Sequence, residues 1–404
     1  MAPAGSFESL MAAIKAGADS VYFGIEQLNM RARSSNNFTI DDLSKITRIC
    51  KEHKVKSYLT LNTVIYDHDI SLMKTIVDAA RINGIDAIIA ADHAVLNYAK
   101  KTGVKVHIST QANISNIDSI EFFADYADVM VMARELSLMQ VGAITREIKR
   151  RKITGPSGEL IRVEIFAHGA LCMAVSGKCY MSLHSNFASA NRGACVQNCR
   201  RNYVVIDKEE GVEFEVDNEY IMSAKDLCTI DFLDKVIDAG VSVLKIEGRG
   251  RSADYVYTVV SCYREAIDAY RNGTYTPNKI NDWKAKLATV FNRGFWEGYY
   301  LGKTMGEWSN EYGSKATRKK IFIGQGLKYF ERSGVGEFKL ESHSLSVGDE
   351  ILITGPTTGV VQTFVEEIRV DDQPTDKITK GTVFTIKVNE KVRPSDKLYK
   401  LVDA

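Results

Sequence analysis

Residues 57–91 read SYLTLNTVIYDHDISLMKTIVDAARINGIDAIIAA. The stretch begins with an apolar run of strand length, Ser57 to Asn62, and ends with another, Ala87 to Ala91. Between the two runs, apolar residues recur at helical spacing from Leu72 to Ile82. A strand, a helix and a second strand in succession indicate a β-α-β unit with parallel strands, because two parallel strands need a crossover of about this length.

The same alternation extends over the first 270 residues or so and predicts the fold class. Six further strand-like runs are Met1–Ala4, Ser20–Gly24, Val106–Ser109, Asp128–Met132, Val163–Ala167 and Val241–Ile246. Helical patterns lie at Phe7–Ala16, Ile40–His53, Asp118–Tyr126, Ile230–Ala239 and Ala253–Arg271. Eight such units predict an α/β fold with a (β/α)8, TIM-like barrel. The alternative is an open doubly wound sheet, but no glycine-rich dinucleotide fingerprint follows the first strand.

Spacing and composition divide the chain into three parts. The barrel is predicted to span residues 1–275, with a Cys-rich insertion at about 168–240 in place of one ordinary loop. Residues 276–320 form a helical linker, with a helix at Trp283–Phe291. Residues 321–404 are rich in short β runs and turn signals, which predicts a small C-terminal β-barrel. Its expected strands are Val335–Leu340, Val347–Gly355, Val360–Ile368, Val383–Val388 and Lys397–Leu401.

The composition is that of a soluble globular protein, with 45% hydrophobic residues, 25% charged residues and a formal net charge of +1. A charge so close to zero creates no global attraction for nucleic acid or anionic membranes, so any polyanion must be held by a local basic patch. The first residues, Met1 to Ser6, lack the basic and apolar regions of an export signal, and no segment is long and apolar enough to span a membrane. We therefore expect a cytoplasmic location and reduced thiols.

Four of the seven cysteines lie within 28 residues of the insertion: Cys172, Cys179, Cys195 and Cys199. A fifth, Cys228, follows at the end of the insertion. Clustered thiols in a cytoplasmic chain indicate metal or cluster ligands rather than disulfides. The irregular spacings favour a [4Fe–4S] cluster over zinc, which prefers Cys-x2-Cys pairs, although zinc and unmetallated thiols remain alternatives. Five candidates compete for four positions, so either Cys199 or Cys228 is expected to be spare.

Other candidate site residues follow the ends of predicted strands, where barrel enzymes carry their active sites. Lys245 and Glu247 lie on one face of the last strand and could form an ion pair, and Arg249 could bind a phosphate or carboxylate. His168 follows the seventh strand, with either a functional or a structural role. The remaining candidates for substrate binding are Asn62, Gln111, Asn113, Arg31 and Arg200. Residues 109–113 could instead only cap the following helix.

One long pattern is specific to a family. Residues 164–182 read EIFAHGALCMAVSGKCYMS, and the chain resembles the collagenase-like peptidase family, whose catalytic type is unassigned, at this signature. Further matching segments are Ala2–Ser6, Asn191–Cys195, Cys199–Arg200, Ser223–Leu227, Lys245–Arg249 and Asn292–Gly294. The similarity extends over nearly the whole chain. It implies that Cys172, Cys179 and Cys195 are cluster ligands, with the fourth at either Cys199 or Cys228.

Members of this family with an assigned role resemble iron–sulfur-dependent hydroxylation proteins. The length and the β-rich tail place this chain nearest the branch that converts wobble uridine of tRNA to 5-hydroxyuridine, with prephenate as the implied precursor. The resemblance therefore implies a tRNA uridine hydroxylase-like enzyme whose partners are the tRNA anticodon region and a small carboxylate metabolite. Hydroxylation of an rRNA base or a quinone precursor is an alternative.

Proteolysis is the other alternative, and the family name suggests it. The sequence has neither a His-Glu-x-x-His zinc motif nor a Gly-x-Ser-x-Gly elbow, so a cysteine nucleophile paired with His168 or His184 is the form left open. For RNA binding, basic residues are expected to frame a cleft. They are Arg200 and Arg201 in the insertion, Arg249 and Arg251 after the last strand, and Arg318 to Lys320 in the linker. Tyr180 and Tyr203 could stack an unpaired base.

Overall fold

The computed structural model of the protein describes residues 1–33, 36–204, 206, 208–209, 222–310 and 313–404. It is a mixed α/β structure with a large, mainly parallel sheet followed by antiparallel C-terminal strands. Within the described residues, no helix combines the length and the apolar character that crossing a bilayer requires.

The first sheet contains ten strands. They are β1 (Ala2–Pro3), β2 (Ser20–Phe23), β3 (Lys56–Leu61), β4 (Ala87–Ala90), β5 (Val106–Ile108), β6 (Val129–Val131), β7 (Arg162–Ala170), β8 (Asp226–Cys228), β9 (Val243–Ile246) and β10 (Phe295–Trp296). Strands β1 to β7 pair in chain order and in parallel, and β9 is parallel to β7. All eight predicted strands are present.

In the described part of the chain, ten α-helices lie between these strands along the sequence. They are α1 (Phe7–Lys15), α2 (Asp42–Glu52), α3 (Ile70–Ile82), α4 (His93–Thr102), α5 (Ile117–Ala124), α6 (Leu138–Arg151), α7 (Met181–Asn186), α8 (Leu233–Asp238), α9 (Ala253–Arg271) and α10 (Pro277–Ala288). Local sequence explains several of their starts. Ser6, Asp92, Asn116 and Ser137 each accept a hydrogen bond from a backbone N–H of the first turn, as N-caps do. The N-cap of α5 is therefore Asn116, and residues 109–113 do not cap this helix.

Backbone hydrogen bonds also link Met1, directly before β1, to β9. The nitrogen of Met1 donates to the Leu244 carbonyl oxygen at 2.8 Å, and the Ile246 N–H donates to the Met1 carbonyl oxygen at 3.1 Å. Residues of both strand faces and of the surrounding helices share one apolar core, which includes Phe23, Leu59, Ile88 and Val259. The carboxyl ends of the parallel strands therefore meet on one side of this core.

The segment between β7 and β9 departs from the regular alternation. It contains α7, the short strand β8 and two short 3₁₀ helices, Ala190–Arg192 and Asn198–Arg200. Strand β8 runs antiparallel to the end of β7 and pairs with β10. Because β8 and β10 have only three and two residues, their short apolar signal does not stand out in the sequence. We call residues 171–204 the cysteine segment.

The C-terminal part is antiparallel. Its strands are β11 (Arg318–Phe330), β12 (Val335–Leu340), β13 (Ser344–Ser346), β14 (Glu350–Gly355), β15 (Gly359–Phe364), β16 (Ile368–Val370), β17 (Gln373–Thr375), β18 (Lys377–Thr379), β19 (Val383–Lys387) and β20 (Lys397–Asp403). The expected strand Val360–Ile368 is divided between β15 and β16. The longest strand, β11, begins at Arg318 within the predicted linker, and no strand was predicted at its residues.

The two parts pack against each other through helices α1 and α9. Ala12, Ala253, Leu352 and Val360 form a shared apolar cluster. Ion pairs join Lys320 to Asp254 and Lys15 to Glu390 at the same contact. Arg318 also pairs with Glu350, so two of the three basic residues at 318–320 contact neighbouring carboxylates.

Candidate functional site

A cavity of about 420 Å³ lies at the carboxyl ends of the parallel strands, beneath the cysteine segment. Its walls include Tyr22 of β2, Thr60 of β3 and Phe166 of β7. The cysteine segment is held over the sheet by Arg192, whose guanidinium contacts the Asp69 carboxylate at 2.7 Å and lies over the Tyr66 ring. Active sites of parallel-strand barrels occupy the same end of the sheet.

Four thiols of the cysteine segment line this cavity: Cys172, Cys179, Cys195 and Cys199. Burial raises the pKa of the Cys199 thiol; Arg200 opposes this shift, and the thiols of Cys172, Cys195 and Cys179 add to it. The Cys199 thiol therefore lies within electrostatic range of the other three thiols. Within the part of the chain that the structure describes, however, no three His, Cys, Asp or Glu side chains are arranged as a metal-binding group.

Cys228 lies elsewhere. Its thiol is buried in the core on β8, where the Tyr263 hydroxyl donates to Sγ at 3.9 Å, and burial raises its pKa to about 11. The reason is the antiparallel pairing of β8 with β7, which turns Cys228 opposite His168 in the sheet and away from the cavity. Of the two candidates for a fourth ligand, Cys199 is the one that shares the cavity with the other three cysteines.

The cavity wall is strongly basic. Eight of its side chains are Lys or Arg and one, Glu247, is acidic. The basic residues are Arg31, Arg134, Lys178, Arg200, Lys245, Arg249, Arg251 and Arg293. Burial by itself would raise the pKa of Glu247, but Arg31, Arg134 and Arg249 together lower it to about 2. This excess of cations in a chain of net charge +1 makes the cavity suited to an anionic ligand.

Arg249 and Arg31 are held in place by polar partners. The Arg249 guanidinium donates from Nη1 to Asn29 Oδ1 at 3.0 Å and to Thr60 Oγ1 at 2.9 Å. Burial lowers the pKa of Arg249 to about 10. The Arg31 guanidinium pairs with Glu247 at 2.8 Å, and the Tyr22 hydroxyl is 3.2 Å from the other oxygen of that carboxylate.

The predicted ion pair between Lys245 and Glu247 is wrong, because each residue pairs with another partner. The Lys245 ammonium contacts Glu164 Oε1 of the adjacent strand β7 at 2.8 Å, and both side chains are buried. Sequence proximity suggested Glu247 as the partner, but the register places Phe166 opposite Lys245 and Glu164 diagonally across from it, within reach of the long lysine side chain. Glu247 instead lies beyond the end of β9 and reaches Arg31.

Of the predicted polar residues after β3 and β5, Asn62 and Gln111 line the cavity, whereas Asn113 does not. Asn62 Nδ2 donates to Ser109 Oγ at 3.3 Å, and Asn113 Nδ2 donates to the backbone oxygen of Ser176 in the cysteine segment at 3.0 Å. The buried Gln111 Oε1 and Arg134 Nε have no hydrogen-bond partner in the described structure, and both residues line the cavity. Buried polar atoms are rarely left unpaired, so a bound ligand is the natural partner for these two.

Arg200 is anchored by backbone carbonyls. Its guanidinium donates to the oxygens of Ala224 at 2.6 Å and Leu171 at 2.7 Å, and to Ser223 Oγ at 3.1 Å. The side chain lines the cavity and at the same time ties the cysteine segment to the chain before β8. Tyr203 is likewise tied down, since its hydroxyl donates to the Asn198 carbonyl oxygen at 2.7 Å.

His168, a candidate catalytic residue in the sequence, lies outside the cavity. Its ring is buried among Tyr255, Tyr263 and Phe295, with Nδ1 3.4 Å from the Tyr263 hydroxyl. Simple alternation would place it on the cavity side with Glu164 and Phe166. A register irregularity between Phe166 and His168 reverses that alternation, as a β-bulge does.

The buried imidazole of His168 predicts a pH dependence of stability. Burial lowers its pKa to about 3, below the ordinary value of 6.5, so the unfolded chain binds a proton more readily than the folded chain. The stability from this neutral imidazole is complete above about pH 6.5 and is lost progressively down to about pH 3. We expect His168→Asn to reduce the loss in unfolding free energy between pH 7.5 and pH 5 by about 2 kcal/mol. His53→Asn, at an exposed histidine, is the control, and an equal loss in His168→Asn and the parent would contradict the prediction.

Gly24, directly after β2, makes room for Arg249. A Cβ at this position would overlap Arg249 Nη1 and lie 2.8 Å from Asn29 Cγ. Gly24→Ala should therefore displace the guanidinium from its two acceptors and lower the free energy of unfolding by about 1–3 kcal/mol. In the control Gly142→Ala on α6, the nearest atom is the flexible end of Arg146 at 3.3 Å, and stability should be unchanged or slightly higher. Equal thermal unfolding of the Gly24→Ala variant and the parent would contradict this role.

Comparison with known proteins agrees with the expected family. A model described as peptidase family U32 matches residues 5–310. The chain belongs to this family. The U32 protein is 62% identical to a protein of Porphyromonas gingivalis named collagenase, over 99% of this chain and 97% of that relative. It is 31% identical to the tRNA hydroxylation protein P1 of Bacillus subtilis, over 99% of this chain and 94% of that relative. It is 32% identical to the 23S rRNA 5-hydroxycytidine C2501 synthase of Escherichia coli, over 67% of this chain and 39% of that relative.

Several cavity residues of the U32 protein were missed in the sequence. Arg134 follows β6 closely, and its position after a strand end is a signal that could have revealed it. Arg293 lies within the family segment Asn292–Gly294 and pairs with Asp226 at 3.3 Å, but its role could not be read from that segment alone. Glu164 does not line the cavity but pairs with the cavity residue Lys245, and this pairing was missed because a lone carboxylate in an apolar strand has no visible partner in the sequence.

Proposed function

We propose that this protein hydroxylates a pyrimidine base of RNA, with wobble uridine of tRNA as the substrate and 5-hydroxyuridine as the product. The observation that carries the proposal is the cavity itself, in which four thiols and eight cationic side chains surround one space. The relatives named for hydroxylation of tRNA and rRNA support an RNA substrate. We further infer that the parallel sheet closes into a (β/α)8 barrel through the hydrogen bonds between Met1, directly before β1, and β9.

The number and kind of thiols in the cavity match the ligands of an iron–sulfur cluster, although in the described residues they are not arranged as a metal-binding group. Four cysteine thiolates are the usual ligands of a [4Fe–4S] cluster, and Cys172, Cys179, Cys195 and Cys199 provide that number around one cavity. Such a cluster, when bound, supplies electron transfer. The protein's own residues would keep the site enclosed, because the cysteine segment covers it and Arg200 fastens that segment to two backbone carbonyls.

The anionic part of the substrate has its own binding groups. Arg249 and Arg31 are positioned by Asn29, Thr60 and Glu247, so they can meet a carboxylate or phosphate without first becoming ordered. Prephenate, the implied precursor, carries carboxylates of the kind that guanidinium groups bind in bidentate fashion. The unpaired Gln111 Oε1 and Arg134 Nε offer one acceptor and one donor for the remaining polar groups.

The test is nucleoside analysis of tRNA from cells that lack this protein. We expect nucleosides derived from 5-hydroxyuridine to fall, and to return when the parent protein is supplied. Supply of Cys199→Ala should not restore them, whereas Cys50→Ala, a change in the apolar core, should. Unchanged nucleosides in the deletion and no gain on supplying the parent protein would reject the proposal.

Proteolysis is a second candidate, because the relative with 62% identity is named collagenase. A cysteine peptidase needs a base within hydrogen-bond reach of its thiol. His168 is packed in the core, and His184 is exposed on α7 outside the cavity lining. Incubation of the purified protein with gelatin separates the two functions, since cleavage that disappears in Cys172→Ala would favour proteolysis.

A further inference from the structure

We propose that Phe187 and Tyr180 form a platform at the rim of the cavity on which unpaired RNA bases stack. The inference rests on the proposed function and adds to it the surface that receives the nucleotides around the target base. It begins from two side chains that are costly to leave in water. Phe187 is 93% exposed and Tyr180 is 69% exposed.

The backbone at Phe187 strengthens the argument. Phe187 ends α7 in the left-handed region, with φ of 52° and ψ of 29°. Glycine or asparagine usually occupies this conformation, because a bulky side chain is strained there. An aromatic residue that is both strained and almost fully exposed contributes little to folding, so its presence indicates a use outside the folded core.

The position of the two rings relates them to the cavity. Tyr180 lines the cavity directly, and α7 leads from it to Phe187. With a rise of about 1.5 Å per residue, the seven steps separate the two residues by about 10 Å along the helix. A strand of RNA that places one base in the cavity would therefore pass these rings on its way out.

Charge identifies the occupant as a polyanion. Between Glu164 and Asp207 the sequence contains no acidic residue, whereas it contains Lys178, Arg192, Arg200 and Arg201. Lys178 and Arg201 are exposed. Exposed aromatic rings in a segment that carries cations and no carboxylates match the chemistry of single-stranded nucleic acid, whose bases stack on rings while its phosphates bind lysine and arginine. An acidic or apolar protein surface would not call for both features.

The experiment measures binding of an anticodon stem–loop RNA to the purified holoprotein by fluorescence anisotropy. We expect Phe187→Asn to weaken binding about 5- to 150-fold, the range of a lost base–aromatic stack. Asparagine suits the left-handed backbone, so the variant should fold at least as well as the parent. Phe187→Trp should bind like the parent, whereas Phe187→Leu should be as weak as Phe187→Asn, because it keeps an apolar side chain without a stacking face.

Controls separate stacking from charge and from general damage. Phe122→Asn removes another exposed ring, 59% exposed on α5, and should leave binding unchanged. A fully paired RNA duplex should bind the parent and Phe187→Asn alike, since its bases are not available to the rings. The double change Lys178→Gln and Arg201→Gln should reduce the slope of log affinity against log salt by about 1 to 1.5, while Phe187→Asn leaves the slope as it is.

The outcomes distinguish this inference from the proposed function. If the parent binds the stem–loop and Phe187→Asn binds it equally well, the platform is rejected and the proposed function stands. If Phe187→Leu binds as well as the parent, a general apolar contact replaces stacking and the platform is rejected as well. If the parent binds no RNA but binds gelatin or a second copy of itself through Phe187, both proposals are rejected.

Discussion

Replacing Cys199 with alanine is expected to abolish iron and sulfide binding, whereas replacing Cys228 with alanine leaves both at the parent level. Cys199 lines the cavity with the other three thiols of the cysteine segment, while Cys228 is buried beside Tyr263 in the core. Loss of a direct ligand should weaken metal binding by more than the roughly 10- to 100-fold that loss of an outer hydrogen-bond partner costs. The measurement is iron and acid-labile sulfide per chain after anaerobic purification.

The Cys228→Ala variant is the matched control for this result. Removing its sulfur from the core should cost about 1 kcal/mol of stability and no iron. The assignment of the fourth ligand would be reversed if Cys228→Ala lost the iron and Cys199→Ala retained it. One zinc per chain in the parent, without sulfide, would reject the iron–sulfur proposal altogether.

The second large effect concerns the buried ion pair of Lys245 and Glu164. We expect Lys245→Met to lower the free energy of unfolding by about 3–5 kcal/mol, because it leaves a carboxylate buried without its cation. The Glu164 side chain is fully buried, its Oε1 contacts the ammonium at 2.8 Å, and its Oε2 has no other partner in the described structure. Thermal or denaturant-induced unfolding measures the change.

A double variant and a surface control identify the cause. Lys245→Met combined with Glu164→Gln removes both charges and should recover much of the lost stability. Arg150→Met breaks the exposed pair with Glu147 on α6 and should leave stability almost unchanged, because water screens an exposed ion pair. If Lys245→Met were as stable as Arg150→Met, the pair would not support the fold.

The parallel part of the fold was predictable because its signals are long and regular. Each predicted strand between Met1 and Ile246 coincides with an observed one to within a few residues, and the helix Ala253–Arg271 is predicted with its observed bounds. Short strands were not predictable. β8 and β10 depend on pairing with β7 and with each other, so nothing in their own residues marks them as strands.

In the C-terminal part, the longest strand was also not predictable from its own residues. β11 contains Lys319, Lys320, Gly324 and Gly326, which weaken the strand signal, and its pairing with β12 and β20 gives it thirteen residues in strand conformation. The tertiary neighbours therefore override a weak local preference.

The site was predictable in its location and only partly in its pairing. Strand ends pointed to Arg31, Asn62, Gln111, Lys245, Glu247 and Arg249, and all of these residues line the cavity. The partner of Lys245 and the side to which His168 points depend on strand register and on a bulge, which single-sequence patterns do not encode. The sequence likewise could not show which of Cys199 and Cys228 lies at the cavity, because the position of Cys228 depends on the antiparallel pairing of β8 with β7.

The apolar contact between α1, α9 and the C-terminal strands has a practical consequence for dissecting this protein. Ala12 and Ala253 are covered by Leu352 and Val360 rather than by their own sheet. A truncated protein that ends before β11 would expose this apolar surface to water. Aggregation of the truncated protein would then give no information about catalysis. Experiments on the part of the chain that contains the cavity should therefore retain the C-terminal strands.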